Sequence, residues 1–174
     1  MVGLGVPLML NIALWEPEIP PNTGNIARLC AATGTPLHLI GRLGFRIDDR
    51  SLRRAGLDYW DAVELHQHAT FADFEDFRHR RPHAPREESV TRSVAPTLYC
   101  LSARATRRYT DIAFQPGDCL LFGAETRGLP PEVLERYREQ SFTIPMLSGK
   151  VRSLNLATAA GIVLYEGLRQ LQGW

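Results

Sequence analysis

Short apolar runs alternate along the chain with longer amphipathic stretches, and glycine, proline or a small polar residue marks most of the junctions. Residues 8–14, 37–40, 62–65, 97–101, 118–122 and 141–144 have the length and apolar character of strands covered on both faces. Between them, residues 22–33 predict a helix closed by Gly34, since glycine accepts the left-handed terminating conformation. Thr70 can cap a helix that runs to about Arg80, and Pro130 stands where proline opens a helix. Asp48 or Asp49 can cap a short helix through Arg54 that Gly56 ends, and Ser153 can cap a long terminal helix to Leu171. Strands separated by helices predict an α/β fold built on a parallel sheet.

One segment breaks the pattern. Residues 81–96, RPHAPREESVTRSVAP, are rich in proline and charge and hold little that could enter a core, so they read as a flexible insertion. The alternation resumes beyond them, and residues 1–174 are expected to form a single domain with one substantial core. In the terminal helix Ala157, Ala160 and Gly161 make a strip of small residues that admits a close neighbour, either a helix of the same chain or one of a second subunit.

Composition narrows the function classes. A hydrophobic share of 44% and a charged share of 22% are those of a globular protein, and a formal net charge of +1 confines any nucleic-acid surface to a local patch. Arg42, Arg46, Arg50, Arg53 and Arg54, set against Asp48 and Asp49, are such a patch. Cys30, Cys100 and Cys119 are odd in number and far apart, with no Cys/His spacing suited to zinc, so no metal is expected and a reducing cytoplasm fits. No apolar run approaches the roughly 18 residues of a membrane span, and the amino terminus lacks a basic leader region, so no membrane association is expected. His38, His66, His68, His79 and His83 form no triad or ligand pattern.

The candidate chemistry lies in three polar, glycine-bearing loops. In an open α/β sheet ligands bind beyond the carboxyl ends of the strands, which is where these loops fall. PPNTGNIAR, residues 20–28, opens a helix with Asn25 and Arg28 on one face. LLFGAETRGLP, residues 120–130, places Gly123 directly after a strand and offers Glu125 as an acceptor. IPMLSGKVRSLNL, residues 144–156, leads from a strand into the terminal helix. None of them is a GxGxxG fingerprint or a P-loop, which disfavours dinucleotide and nucleoside-triphosphate sites.

These three segments, in this order and spacing, resemble the motifs of the SPOUT RNA methyltransferases. The flanks NIALWEPEIPPNTGNIARLCAATG, LHLI, LGF, RRAGLDY and VLYEGLRQL are closest to the small tRNA 2′-O-methyltransferases of the wobble nucleoside, and the likeness runs from Leu10 to Leu171. The segment 81–96 is longer than is usual in that family.

The resemblance implies a parallel-sheet α/β knot, the deep SPOUT trefoil, with helices on both faces. It implies S-adenosyl-L-methionine as cofactor, held by Leu101, Gly123, Ile144, Ser153 and Leu154 with Met146 nearby, and S-adenosyl-L-homocysteine as product. It implies a homodimer joined through the terminal helix, with Tyr165 at the interface, acting on the anticodon stem-loop of tRNA in the cytoplasm. Arg28 matches the catalytic arginine. A guanidinium keeps its proton at any physiological pH, so Arg28 is expected to grip phosphate and stabilise charge developing on the 2′-oxygen, not to act as a base. Asn25 would orient Arg28, and Glu125 would order the loops. Two other readings remain: the same chemistry at another tRNA position or in rRNA, and a non-catalytic RNA-binding or assembly factor.

Overall fold

The computed structural model describes residues 9–45, 62–80 and 96–174. The expected short helix near 48–54, Arg46, Arg50, Arg53, Arg54, His83, the start of the first strand and residues 81–95 of the expected insertion lie outside the described residues. In chain order the elements are β1 (Asn11–Trp15), α1 (Pro20–Thr33), β2 (Leu37–Ile40), β3 (Leu65–His68), α2 (Phe71–Arg80), β4 (Leu98–Leu101), β5 (Arg107–Arg108), β6 (Cys119–Phe122), α3 (Pro131–Arg136), β7 (Ser141–Thr143) and α4 (Leu156–Gln172).

The strands form one sheet in the order β3-β2-β1-β6-β4-β7-β5, with every pairing parallel. Parallel strands need crossovers, and the crossovers cover both faces, which is why β2 and β6 are buried at every position. Alternate residues divide between two cores. Ile12, Leu14, Leu37, Leu39, Leu101, Leu120 and Phe122 pack with Ile26, Ala27 and Cys30 of α1 and with Ala160, Val163 and Leu164 of α4. Ala13, Ile40, Cys100 and Leu121 pack with Phe74 of α2 and Val133 of α3 on the other face. Across that second face Glu75, from α2, accepts hydrogen bonds from Arg136 at 2.8 Å and from the Tyr137 hydroxyl. The three cysteines are buried and free, and burial pushes their thiols up to about 12, so they are protonated and pack as small hydrophobes.

Several boundaries differ from expectation for physical reasons. Helix α1 begins at Pro20, because both prolines fit a first turn whose N–H groups have no helical partner. Gly34 closes it at φ 68, as expected. The third strand is 65–68, not 62–65; the Leu37 N–H donates to the Glu64 carbonyl at 2.9 Å, which sets the register of Leu37 with Leu65. Strand β5 was not foreseen: it is two arginines at the sheet edge, with the Arg107 guanidinium 4.6 Å from the centre of the Phe142 ring. The cap of α4 is Asn155 and not Ser153, its side-chain oxygen accepting from the N–H groups of Ala157 and Thr158. Thr70 and Asp73 form the reciprocal capping pair of α2. Among the described residues no helix is long and apolar enough to cross a membrane.

The small-residue strip of α4 has an internal partner on one side. Ala160 is fully buried in the core shared with α1, whereas a methyl group added at Gly161 would meet nothing within 4 Å. Gly167 is different, since an added methyl would lie 2.4 Å from Leu10 Cδ1. Gly161→Ala should therefore stabilise the fold by about 0.5–1 kcal/mol through helix propensity. Gly167→Ala should destabilise it by about 1–3 kcal/mol through overpacking. Urea unfolding of the two variants checks both signs, and the same sign for both would contradict this packing.

Near the sheet edge the rings of His38 and His68 are buried, with His38 Nδ1 and His68 Nε2 at 3.0 Å and the Phe74 and Phe77 rings edge-on to both. One facing nitrogen must donate and the other accept. Burial, reinforced by His66 and opposed by Asp73, holds His68 below the usual 6.5. A depressed folded-state value means that the unfolded chain takes up the proton first. Stability is then full above the ordinary histidine value and falls as pH drops through the lowered one. The thermal midpoint should decline between about pH 7.5 and about pH 5, and His68→Gln should flatten that decline; a wild-type midpoint constant over the range would refute it.

Candidate active site

The register pairs Leu101 with Phe122 and with Phe142, so β4, β6 and β7 end level at one edge of the sheet. The chain leaves all three strands at the same place, and the loops 102–106, 123–130 and 144–155 surround a cavity of about 330 Å³. Leu101, Gly123, Ile144, Ser153 and Leu154 all line it, and Met146 does too. Leu101, Ile144 and Leu154 supply apolar wall, and Ser153 stands at the exposed rim. Arg28 does not line this cavity; it is exposed on α1, as is Asn25.

Gly123 has a reason for being glycine that the sequence did not disclose. A methyl group there would sit 2.1 Å from the Gly128 carbonyl carbon and 2.2 Å from the Leu129 nitrogen. The chain at 128–129 folds back against Gly123, closed by the Gly128 N–H donating to the Ala124 carbonyl at 2.8 Å, with Gly128 at φ 71. Space, not backbone torsion, excludes a side chain at Gly123.

Glu125 joins the three segments. Its carboxylate accepts from the N–H groups of Glu18 at 2.7 Å and Ile19 at 3.1 Å and from Asn22 Nδ2 at 3.1 Å, thereby fixing the chain as it enters α1 from more than a hundred residues away. Asn22 Oδ1 in turn accepts from Asn155 Nδ2 at 2.8 Å, while Asn155 Oδ1 caps α4. The contact is reciprocated: Glu18 accepts from the Thr126 N–H at 3.0 Å and from the Thr126 hydroxyl. Those bonds, aided by Arg127, hold the Glu18 carboxyl below its usual range. Arg127 also reaches Glu16 at 3.0 Å. Glu16 is the one non-glycine residue at positive φ among those described, at 43°, and this tight exit from β1 delivers both acids to Thr126 and Arg127.

Sequence reasoning found Glu125 but not its contacts with Glu18 and Asn22, nor the onward bond from Asn155 to Asn22. The signal in each case was a polar residue at a helix entrance, which local capping explains equally well. Among the described residues no group of three or more His, Cys, Asp or Glu side chains could hold a metal ion.

With this geometry established, comparison with known proteins is informative. Residues 9–165 match the SpoU rRNA Methylase family. The chain belongs to that family. It is 46% identical over 164 residues to the tRNA (cytidine(34)-2′-O)-methyltransferase of Photorhabdus asymbiotica, covering 94% of each protein. A solved structure concerned with the 2-OH methylation of C/U34 on tRNA superposes with a TM-score of 0.83 at 46% identity, covering 97% of this chain and all of that one. The SpoU methyltransferase AviRb of Streptomyces viridochromogenes, solved with AdoMet, superposes at 0.76 and 25% identity, covering 95% of this chain and 58% of that one. As a SpoU-family protein the chain is α/β with a wholly parallel sheet among its described residues, and the family's fold is what brings the loops after β4, β6 and β7 together.

Glu125→Ala would leave two backbone N–H groups and the Asn22 amide without their acceptor. Stability should fall by about 1–3 kcal/mol, and amide exchange at Glu18 and Ile19 should accelerate. Unchanged exchange at those two amides would show that the carboxylate does not hold the helix start.

Proposed function

We propose that the protein is an S-adenosylmethionine-dependent methyltransferase that acts on the ribose 2′-hydroxyl of the wobble nucleoside of tRNA, as a homodimer in the cytoplasm. The cavity at the level ends of β4, β6 and β7 carries this reading, because it gathers Leu101, Gly123, Ile144, Ser153 and Leu154 from three loops. Its volume of about 330 Å³ and its wall of aliphatic residues interspersed with polar groups suit a small ligand with a flat heterocycle, and a relative sharing 46% identity over nearly the whole chain is named for this chemistry.

The wall residues Leu101, Ile144 and Leu154 would enclose the adenine, and backbone groups around Gly123 and Ile144 would read its polar edge. When bound, the cofactor supplies a methyl group on a positively charged sulfur. The protein must orient the ribose hydroxyl in line with that methyl carbon and exclude competing water. Arg28 stands outside the cavity wall, on the exposed face of α1, which fits a role on the RNA: its guanidinium would hold a phosphate and offset the charge that grows on the 2′-oxygen as its proton departs. A dimer through α4 has a surface ready for it in Tyr165, 46% exposed, whose ring lies 6.3 Å from that of Trp174. Helix α1 packs on α4, so such an interface would bring α1 near the second subunit's site. Arg42, exposed beyond β2, is the described member of the proposed basic patch for the anticodon stem.

Radiolabelled cofactor and total tRNA from a strain lacking its wobble methyltransferase should yield label on the ribose at position 34 alone. Label at another position or in rRNA would redirect the substrate assignment, and no transfer would favour a binding factor. Arg28→Ala should lower turnover by about 100-fold or more, with cofactor affinity held within about two-fold, as expected of a group that acts on developing charge. Arg28→Lys tests whether charge without the planar fork suffices.

A further inference from the structure

The charge on the cavity wall is unbalanced, and the imbalance has a direction. Arg104, Arg127 and Arg152 line the cavity with Glu125 as the only acid among the described lining residues. The Glu125 carboxylate is engaged by Glu18, Ile19 and Asn22, and Arg127 is paired with Glu16 and Glu18 at 3.0 and 3.4 Å. Arg104 and Arg152 have no carboxylate within ion-pair distance among the described residues, and both are exposed at the rim. They come from different loops. The Arg104 N–H donates to Ser102 Oγ at 3.2 Å, just past β4, and Arg152 lies three residues before Asn155, the cap that is anchored to Asn22.

We infer that Arg104 and Arg152 couple the two substrates: they receive an RNA phosphate at the cavity rim, and until they do so they disfavour the positively charged cofactor relative to its neutral product. The inference rests on the cofactor reading above. S-adenosylmethionine and S-adenosylhomocysteine share an adenosine, an ammonium and a carboxylate, and differ in that the first has a sulfonium where the second has an uncharged thioether. Any attraction of the arginines for the carboxylate is common to both and cancels in the comparison. Repulsion of the sulfonium remains. RNA phosphate received by these guanidiniums at the rim offsets that repulsion, so RNA and cofactor bind more tightly together than apart, and linkage makes the effect reciprocal. Both arginines are water-exposed, so the interaction is screened, and a preference of about five-fold is the scale expected of two such charges at cavity distance.

Calorimetry of the intact protein with each ligand tests this without turnover. Raising salt from about 50 to about 500 mM should tighten S-adenosylmethionine binding relative to S-adenosylhomocysteine by about three- to five-fold, since screening of the carboxylate and ammonium interactions is common to both ligands and only the sulfonium repulsion differs. A synthetic anticodon stem-loop with a 2′-deoxy wobble nucleotide, which cannot react and leaves room for the cofactor's methyl, should tighten the first ligand by a similar factor at low salt. In the double variant Arg104→Gln, Arg152→Gln, the affinity for S-adenosylmethionine relative to S-adenosylhomocysteine should rise above the wild-type ratio at low salt, and the salt and RNA effects on that ratio should vanish. An equal salt response of the two ligands in the wild type overturns the coupling while leaving the cofactor assignment intact. Loss of affinity for both ligands equally in the variant would also overturn it, marking the arginines as carboxylate holders only. Failure of either ligand to bind the wild type sinks the cofactor reading and the coupling with it.

Discussion

A single carboxylate holds the site together. The sheet can bring the ends of β4, β6 and β7 to one level, but it does not fix how α1 and α4 start relative to them. Glu125 does this by accepting from Glu18, Ile19 and Asn22, and Asn22 passes the constraint on to Asn155 and so to the first turn of α4. With prolines at the first two helical positions, the N–H groups available at this entrance are those of Glu18 and Ile19, and an ionised acceptor holds them with charge-assisted hydrogen bonds close to the positive end of the helix. The loop after β6 is thereby pinned at its middle. Its ends follow from the Gly123–Gly128 fold-back and from Pro130 and Pro131 opening α3.

The local costs of the structure gather around the same clasp. Glu16 holds a left-handed backbone that ordinarily costs about 1–3 kcal/mol for a residue with a side chain. It persists because the turn places Glu16 and Glu18 together against Thr126 and Arg127, where two carboxylates meet one guanidinium, one N–H and one hydroxyl. Gly123 gives up any side chain so that Gly128 can close the loop. Strain and lost packing are accepted where loops must converge, while the strands beneath, buried on both faces, supply the stability that tolerates them.

What was legible in the sequence divides along the same line. Runs such as LHLI and CLLF announce strands because a strand covered on both faces must be apolar throughout. LHQH does not, because β3 is an edge strand whose His66 and His68 rings lie against Phe77, and His68 also against Phe74, contacts that no local pattern reveals. The two-residue β5 was invisible for a related cause: what fixes it is the Arg107–Phe142 contact, not its own propensity. Ser153 and Asn155 are comparable caps on sequence grounds, and the choice is made by the Asn22 amide arriving from 133 residues away. Individual cofactor residues, Leu101 among them, were implied by the family resemblance. From the residues alone only the loops after β1, β6 and β7 were readable, because ligand loops in an open α/β sheet follow the carboxyl ends of strands. The partners of Glu125 were not, because their meeting depends on the order of strands, which the sequence expresses only through the fold.

The placement of Arg28 completes the division of labour. The cavity wall is drawn from the second half of the chain, from Leu101 to Ala159, whereas Arg28 and Arg42 lie in the first half and outside that wall. The Glu125 clasp and the Glu16 and Glu18 contacts to Thr126 and Arg127 connect the halves at this edge, while Arg28 and Arg42 stand exposed on the first half, toward solvent where a large anionic partner would approach. A small-molecule pocket and a polyanion surface have opposite needs, one enclosed and mostly apolar, the other open and positively charged. Building them from different halves of the chain, and clamping those halves at one carboxylate, lets each meet its own requirement while their edges stay in fixed register.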